Sequence, residues 1–237
     1  MFLFVYGALH LKSDTWNPAA ALASAYSGKD LRYFAGARED MVADLPFDPT
    51  ASILEIGCGS GDTGALALER GRAKRYVGVE LMVEPAATAA TRLSRVLVGD
   101  AEQLAFDFQP AEFDGLIMSE VLEHLRDPEA LLKRLHRFVR PDGVVLASSP
   151  NIANWKVLRE LLAGRFPQAD RGVFDRTHLR WFTPESFAAM FERAGYKVVS
   201  VRPVRRFSAR QRLISRLFAG RADHLLMTQI SIVALRR

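Results

Sequence analysis

The sequence has a single cysteine and lacks any long hydrophobic run. With Cys58 alone, a disulfide within the chain is excluded, and a reducing compartment is the expected location. A membrane-spanning helix needs roughly 20 consecutive apolar residues, and no segment approaches that length. The longest candidate, residues 2–9, also lacks the positive flank of a signal peptide. The sequence therefore predicts a cytoplasmic protein without a membrane span.

The composition also lacks extremes. Of the 237 residues, 49% are hydrophobic, 25% are charged and 10% are aromatic. These proportions exclude a collagen, a coiled coil and a largely disordered chain. The length is sufficient to bury a sizeable hydrophobic core.

Positive charge is concentrated near the C-terminal end. Positions 193–237 carry ten arginines and Lys197 against Asp223 as the sole acid. Over 202–221 arginines and apolar residues recur at helical spacing, which predicts an amphipathic helix with a basic face. We interpret it as a solvated outer helix packed on a sheet. The alternative is a weak contact surface for nucleic acid, lipid headgroups or a phosphorylated substrate.

Apolar runs and helical patterns alternate from residue 53 onward. Such alternation is typical of crossover units, which form a doubly wound parallel sheet covered by helices on both faces. We therefore predict an α/β fold with a helical cap over 1–50 and one domain over 51–237. The predicted strands are 53–56, 76–79, 96–98, 115–118, 144–148, 196–201 and 227–235, and the predicted helices are 62–70, 84–93, 128–139 and 184–194.

A glycine-rich segment, GCGSGDTG at 57–64, follows the first strand and opens a helix. Glycine is required where the backbone turns tightly and approaches a ligand. Glu80 and Asp100 end the next two strands, where a carboxylate can accept ribose hydroxyls or an adenine amino group. Because the carboxyl ends of parallel strands meet at one edge, the three features should converge. A dinucleotide needs two nucleotide-binding halves, and a single glycine loop therefore disfavours a dehydrogenase.

Five motifs in order resemble those of class I S-adenosylmethionine-dependent methyltransferases: ILEIGCGSG at 53–61, VE at 79–80, GDA at 99–101, EVLEHL at 120–125 and RPDG at 140–143. The segments at 149–151 and 174–183 resemble a bacterial small-molecule subgroup of that family. The resemblance implies a Rossmann-like, seven-stranded, mostly parallel sheet with an antiparallel last strand. It also implies S-adenosyl-L-methionine as cofactor, with contacts from Arg38, Glu55, Gly57, Cys58, Gly59, Gly61, Glu80, Leu81, Asp100, Ala101, Glu102 and Ser119.

The methyl acceptor is expected at the far end of the cofactor. Residues 151–183 are rich in aromatics and are predicted to form a lid that excludes water; a satellite core is the alternative. The resemblance also implies that an N-terminal segment closes over the cofactor. For Arg38, a surface ion pair is the alternative to binding the cofactor carboxylate. The predicted substrate contacts are Tyr26, Tyr33, Asn151, Trp155, Arg180 and Trp181.

His124 and His178 are the candidate general bases, which a hydroxyl acceptor would need and an amine would not. Structural hydrogen bonding is the alternative role for each. The run 120–124 faintly resembles an inverted zinc-protease motif, but a glutamate stands at its first ligand position, so no metal is predicted.

The sequence thus predicts methyl transfer to an oxygen or nitrogen of a small molecule such as a sugar or a secondary metabolite. Two alternatives stay open: an RNA methyltransferase that holds phosphates with the basic helix, and a non-catalytic subunit that binds S-adenosylmethionine. The missing Asn/Asp-Pro-Pro-aromatic run after the fourth strand, where SEV stands at 119–121, disfavours methylation of DNA amino groups. The sequence does not indicate an oligomeric state.

Overall fold

The structure is a computed structural model that describes Tyr26, Lys29 and residues 34–237. Most of the predicted helical cap over 1–50, the apolar run at 2–9 and the candidate substrate contact Tyr33 lie outside the described residues. Among those described, no helix combines the length and apolar character needed to cross a bilayer.

Strands and helices alternate as the sequence predicts. The strands are β1 Ser52–Ile56, β2 Arg75–Glu80, β3 Arg95–Val98, β4 Phe113–Ser119, β5 Val139–Pro150, β6 Tyr196–Pro203 and β7 Gln229–Arg236. The helices are α1 Glu39–Asp44, α2 Asp62–Glu69, α3 Val83–Ala90, α4 Pro128–His136, α5 Trp155–Leu162, α6 Pro184–Arg193, α7 Ala209–Leu217 and α8 Asp223–Leu226. A 3-10 turn, Leu122–His124, follows β4.

One seven-stranded sheet has the order β3-β2-β1-β4-β5-β7-β6. The pairs among β1 to β5 are parallel, whereas β7 runs antiparallel between β5 and β6. This confirms the predicted Rossmann-like sheet with a reversed last strand. The central strands are buried on both faces, as their continuous apolar runs predict.

Two hydrophobic clusters lie on the two faces of this sheet. The larger contains Phe113, Leu132, Phe187 and Tyr196, and it seats α4 and α6. The smaller contains Met41, Tyr76 and Leu146 with residues of α2 and α3. Burial on both faces holds the carboxyl ends of the parallel strands in fixed positions, which is what a binding site at that edge requires.

The basic helix is shorter than predicted. Arg202 belongs to β6, where its guanidinium pairs with Asp44, and the helix itself covers only Ala209–Leu217. Backbone pairing of β6 with β7 extends to Pro203 and prevails over the helical spacing of the arginines. The helix is solvated, as interpreted, but it packs no buried face on the sheet, because no residue of α7 is buried and Leu217 is 74% exposed.

The RPDG motif at 140–143 is an irregularity inside β5. The register with β4 shifts between Phe113 and Gly115, and Asp142 has a φ of +59°. Arg140 nevertheless ion-pairs with Asp114 at 2.6 Å, so the bulge stays attached to β4. The predicted lid, 151–183, contains a helix that was not predicted, because α5 forms within it and Asn154 caps that helix.

Candidate active site

A cavity of about 900 Å³ opens beyond the carboxyl ends of the parallel strands. Most of the predicted site residues line it: Tyr26, Arg38, Glu55, Gly57, Cys58, Gly59, Glu80, Leu81, Asp100, Ala101, Ser119, His124 and His178. The structure does not bring the other described ones to this cavity, namely Gly61, Glu102, Asn151, Trp155, Arg180 and Trp181. The glycine loop and the acids that end β2 and β3 therefore converge.

The glycines of the loop are required mainly by neighbouring protein atoms. Gly59 has a φ of +53°, and a Cβ there would lie 2.3 Å from the carbonyl oxygen of Phe34. That same carbonyl accepts a hydrogen bond from Ser60 N at 3.0 Å. A Cβ on Gly61 would lie 3.0 Å from Cα of Ala89, so this glycine permits close packing of α2 on α3. The loop thus binds the segment that begins at Phe34 as well as bordering the cavity.

The Glu80 carboxylate fastens the glycine loop to the end of β2. Its two oxygens accept hydrogen bonds from Gly59 N at 2.8 Å and from Met82 N at 2.9 Å. The side chain is buried, and desolvation raises the pKa of Glu80. Each carboxylate oxygen has a second lone pair, so Glu80 can still accept a hydroxyl from the cavity.

Asp100 joins the loop after β3 to the start of α4. Its carboxylate accepts from Glu102 N at 2.8 Å, from Gln103 Nε2 at 3.0 Å and from the Arg126 guanidinium at 2.7 Å. Glu102 accepts from Arg126 Nε at 3.1 Å and from Asp127 N at 2.7 Å, which explains why it is turned away from the cavity. These bonds fix the floor formed by Asp100 and Ala101.

Glu55 is a carboxylate fully enclosed at the end of β1. Desolvation raises its pKa to about 8, and its hydrogen-bond donor is the neutral hydroxyl of Tyr76 at 2.9 Å. Cys58 beside it is buried too, and desolvation raises the pKa of its thiol, so it is not a thiolate nucleophile at neutral pH. Arg38 acts on Glu55 in the opposite sense, but the effect of burial on the pKa is larger.

The Arg38 guanidinium makes more than a surface ion pair, and protein atoms already accept several of its hydrogen bonds. Its guanidinium pairs with Asp40 at 2.8 Å and donates to the hydroxyls of Ser119 and Ser148, at the ends of β4 and β5. Ser148 in turn donates to Glu120 at 2.6 Å. Arg38 thus links the segment before α1 to the edge of the sheet.

His124 and His178 meet edge to face, with ring centroids 4.7 Å apart. His124 Nδ1 lies 3.2 Å from the carbonyl oxygen of Thr177, and His178 Nδ1 lies 3.2 Å from that of Val173. A carbonyl can only accept, so each Nδ1 carries the proton and each Nε2 keeps its lone pair. Desolvation lowers the pKa of His124 to about 4 and also lowers that of His178, so both rings are neutral.

The loop that carries Val173 and Asp175 covers the histidine end of the cavity. Lys29 ion-pairs with Asp175 at 2.6 Å, and the ring of Tyr26 lies 5.6 Å from that of His124. The described residues of the N-terminal segment therefore contact both this loop and His124.

The other predicted substrate residues have structural partners outside the cavity. The Asn151 side chain donates to the carbonyls of His224 at 2.6 Å and Met227 at 2.9 Å, which ties the end of β5 to α8. Trp181 donates from Nε1 to Val173 O at 3.0 Å and packs on Phe166. Arg180 donates to the carbonyl of Arg126, and Trp155 lies exposed on α5. Of the aromatics in 151–183, Phe166, Phe174 and Trp181 therefore form a small cluster of their own.

Sequence reasoning missed several residues that line the cavity. Glu120 has a φ of +53°, and its oxygens accept from Ser148 and, at 3.0 Å, from Gln229 Nε2 on β7. Glu123 also faces the cavity and is buried. Both belong to the EVLEHL motif and could have been found there, whereas Gln229 had no signal because only the fold brings β7 beside β5.

Proteins of known name provide an independent comparison. The chain is 33% identical over 114 residues to the trans-aconitate 2-methyltransferase of Azoarcus sp. (strain BH72), covering 48% of this chain and 45% of that protein. It is 28% identical over 159 residues to the ubiquinone biosynthesis O-methyltransferase of Pseudomonas aeruginosa (strain LESB58), covering 63% of this chain and 66% of that protein. The chain thus spans between about half and two thirds of the length of these relatives.

Solved structures share the fold. An S-adenosylmethionine dependent methyltransferase from Mesorhizobium loti superimposes with a TM-score of 0.59 at 18% identity, covering 86% of this chain and 100% of that one. A SAM dependent methyltransferase from Archaeoglobus fulgidus gives 0.60 at 20% identity, covering 86% and 97%. The family model described as a methyltransferase domain matches residues 28–201, more than half of the sequence. On this match and this fold, the chain belongs to the methyltransferase domain family.

Proposed function

We propose that this protein transfers a methyl group from S-adenosyl-L-methionine to an oxygen of a small-molecule acceptor. The observation that carries the proposal is that the glycine loop, Glu80 and Asp100 line the same cavity as His124 and His178. A nitrogen acceptor is the alternative. The names of the two relatives, a trans-aconitate 2-methyltransferase and a ubiquinone biosynthesis O-methyltransferase, favour oxygen.

The charges of the cavity fit this cofactor. Burial raises the pKa of Glu55, and the positively charged amino group of the methionine moiety, if placed beside it, would favour its ionised form. Glu80 retains lone pairs for ribose hydroxyls, and Ala101 offers a small apolar surface beside Asp100 for the base. Arg38, already bound to two serine hydroxyls, stands where a carboxylate could be received.

When bound, S-adenosylmethionine supplies a methyl group on a positively charged sulfur that is reactive toward nucleophiles. The protein therefore has to orient the acceptor and exclude water. The loop with Val173 and Asp175 covers the histidine end, and its ion pair with Lys29 stabilises the covered state. His124 and His178 present neutral imidazoles there, whose Nε2 atoms can take the proton that a hydroxyl acceptor loses.

The proposal is tested by mass spectrometry. Purified protein is incubated with a bacterial small-metabolite extract and S-adenosylmethionine labelled with deuterium in its methyl group. We expect one or more metabolites to gain a deuterated methyl group, and the same assay on purified tRNA to show none. Tight cofactor binding in calorimetry without any labelled product would contradict the proposal and favour the non-catalytic subunit. Labelled tRNA would favour the RNA alternative.

A further inference from the structure

Three side chains at the acceptor end of the cavity form a cluster with metal-ligand chemistry. Glu123, His124 and His178 are all buried, and each offers one ligand atom within 4.8 Å of the others. They come from the 3-10 turn after β4 and from the lid loop, two elements that are far apart in sequence.

Glu123 has an unusual environment for a buried carboxylate. It is 1% exposed, and within the described part of the chain its Oε2 has no hydrogen-bond partner. The nearby hydroxyl of Ser149 lowers the pKa of Glu123, but the Ser149 oxygen also has no hydrogen-bond partner among the described residues. The charged groups that act on Glu123 most strongly are Glu120 and Asp175, both carboxylates. Burying a charge in this way is costly unless a cation compensates it.

The two histidines are arranged as metal ligands commonly are. Each donates its Nδ1 proton to a backbone carbonyl, of Thr177 and Val173 respectively, which fixes the tautomer and leaves the Nε2 lone pair unused. The Thr177 hydroxyl lies 3.1 Å from His124 Nδ1 and donates to Asp175 at 2.8 Å. Such outer partners orient a ligating imidazole.

We propose that Glu123, His124 and His178 bind a divalent transition-metal ion at the acceptor end of the cavity. Two imidazoles and one carboxylate suit Zn²⁺, Mn²⁺, Fe²⁺ or Co²⁺ better than Ca²⁺ or Mg²⁺, which prefer oxygen ligands. Three protein ligands leave positions open toward the cavity, where oxygen atoms of an acceptor can bind. The sequence-based prediction of no metal rests on the run 120–124 alone, and that run does not contain His178. The ion's role toward the acceptor rests on the proposed function, but its binding does not.

The test measures metal binding directly. Untagged full-length protein is treated with a chelator, titrated with Mn²⁺, and free Mn²⁺ is followed by electron paramagnetic resonance. We expect one tightly bound equivalent, displaced by Zn²⁺. Glu123→Gln and His178→Ala should each weaken binding by more than the roughly 10–100-fold that loss of an outer partner costs. Glu129→Gln and His136→Ala on α4, outside the cavity lining, are the matched controls and should bind like the wild type.

A milder variant covers the case in which a ligand substitution disturbs folding. Thr177→Val keeps the backbone carbonyl but removes the hydroxyl that contacts His124 Nδ1 and donates to Asp175, and it should weaken Mn²⁺ binding by up to about tenfold, whereas Thr177→Ser should restore it. Binding no stronger than to bovine serum albumin, or equal binding by wild type and both ligand variants, would overturn the proposal. Binding of S-adenosylhomocysteine to the metal-free protein is measured in parallel. If it is retained while Mn²⁺ fails to bind, only the metal site is refuted; if it too is lost, the proposed function fails.

Discussion

At the scale of single residues, the site depends on how a few buried acids are satisfied. Glu80 and Glu55 end adjacent strands, yet they differ in partners. Glu80 accepts two backbone N–H groups, whereas Glu55 is bonded by one neutral hydroxyl. The first therefore organises the glycine loop, whereas burial keeps the second largely protonated at neutral pH.

Glu80→Ala should abolish most cofactor binding in a folded protein. It removes the acceptor of Gly59 N and the proposed acceptor of the ribose hydroxyls. Hydrogen bonds to charged groups contribute about 1.5–3 kcal/mol, so calorimetry should report at least tenfold weaker binding of S-adenosylhomocysteine. Glu69→Ala, at the exposed end of α2, is the control. Unchanged affinity in Glu80→Ala would remove this residue from the site.

The raised pKa of Glu55 predicts how the free energy of unfolding changes with pH. Because its folded-state pKa is raised from 4.5 to about 8, the native state holds one more proton than the unfolded state between these values. Its contribution therefore lowers the free energy of unfolding as pH rises through that window, by up to about 1.4 kcal/mol per pH unit. Urea unfolding at several pH values should show Glu55→Gln gaining on the wild type up to about pH 8. A difference that does not vary with pH would contradict this.

His178→Ala should lose turnover and keep cofactor binding. The imidazole lines the cavity from the loop that also carries Val173, and either of its proposed roles needs Nε2. Turnover is measured on the acceptor found by mass spectrometry, with His136→Ala as control. Turnover at the wild-type rate would show that the ring has only its structural hydrogen bond.

At the scale of elements, two capping boxes permit a matched comparison. Thr183 caps α6, which buries Phe187, Met190 and Phe191, and Ser208 caps α7, which buries nothing. Losing a cap costs about 1 kcal/mol of helix stability. Thr183→Ala should therefore lower the free energy of unfolding by about that amount, whereas Ser208→Ala should leave it nearly unchanged, because α7 can fray alone. Equal losses in urea unfolding would show that α7 is coupled to the core.

The elements also explain what the sequence could predict. Strand ends followed by glycine or an acid fixed the positions of Glu80 and Asp100, since a parallel sheet brings such ends together. The lid could not be predicted in the same way. The Asn151 side chain donates to backbone carbonyls in and beside α8, and the Trp181 ring donates to the carbonyl of Val173. These contacts depend on tertiary packing and leave no periodic signal in the sequence.

At the scale of the whole molecule, charge and apolar surface coincide on α7. Leu213, Leu217 and Phe218 are exposed among its arginines. If this basic surface is the predicted weak contact for an anionic partner, Arg210→Glu with Arg216→Glu should weaken binding to phosphatidylserine vesicles at least tenfold, since each basic residue contributes about 1 kcal/mol. The loss should diminish at high salt. Uncharged phosphatidylcholine vesicles are the control, and equal binding to both kinds would refute the interpretation.

The position of β7 has a consequence for biosynthesis. In the described sheet β6 bonds to β7 alone, and β7 follows β6 in the chain, so residues 196–203 are synthesised before their partner. Until translation passes Arg236, β5 also has an open edge, which is a template for pairing with other chains. A nascent chain stalled before Gln229 should therefore aggregate or recruit a chaperone, even though the glycine loop and both cofactor-side acids have already been synthesised.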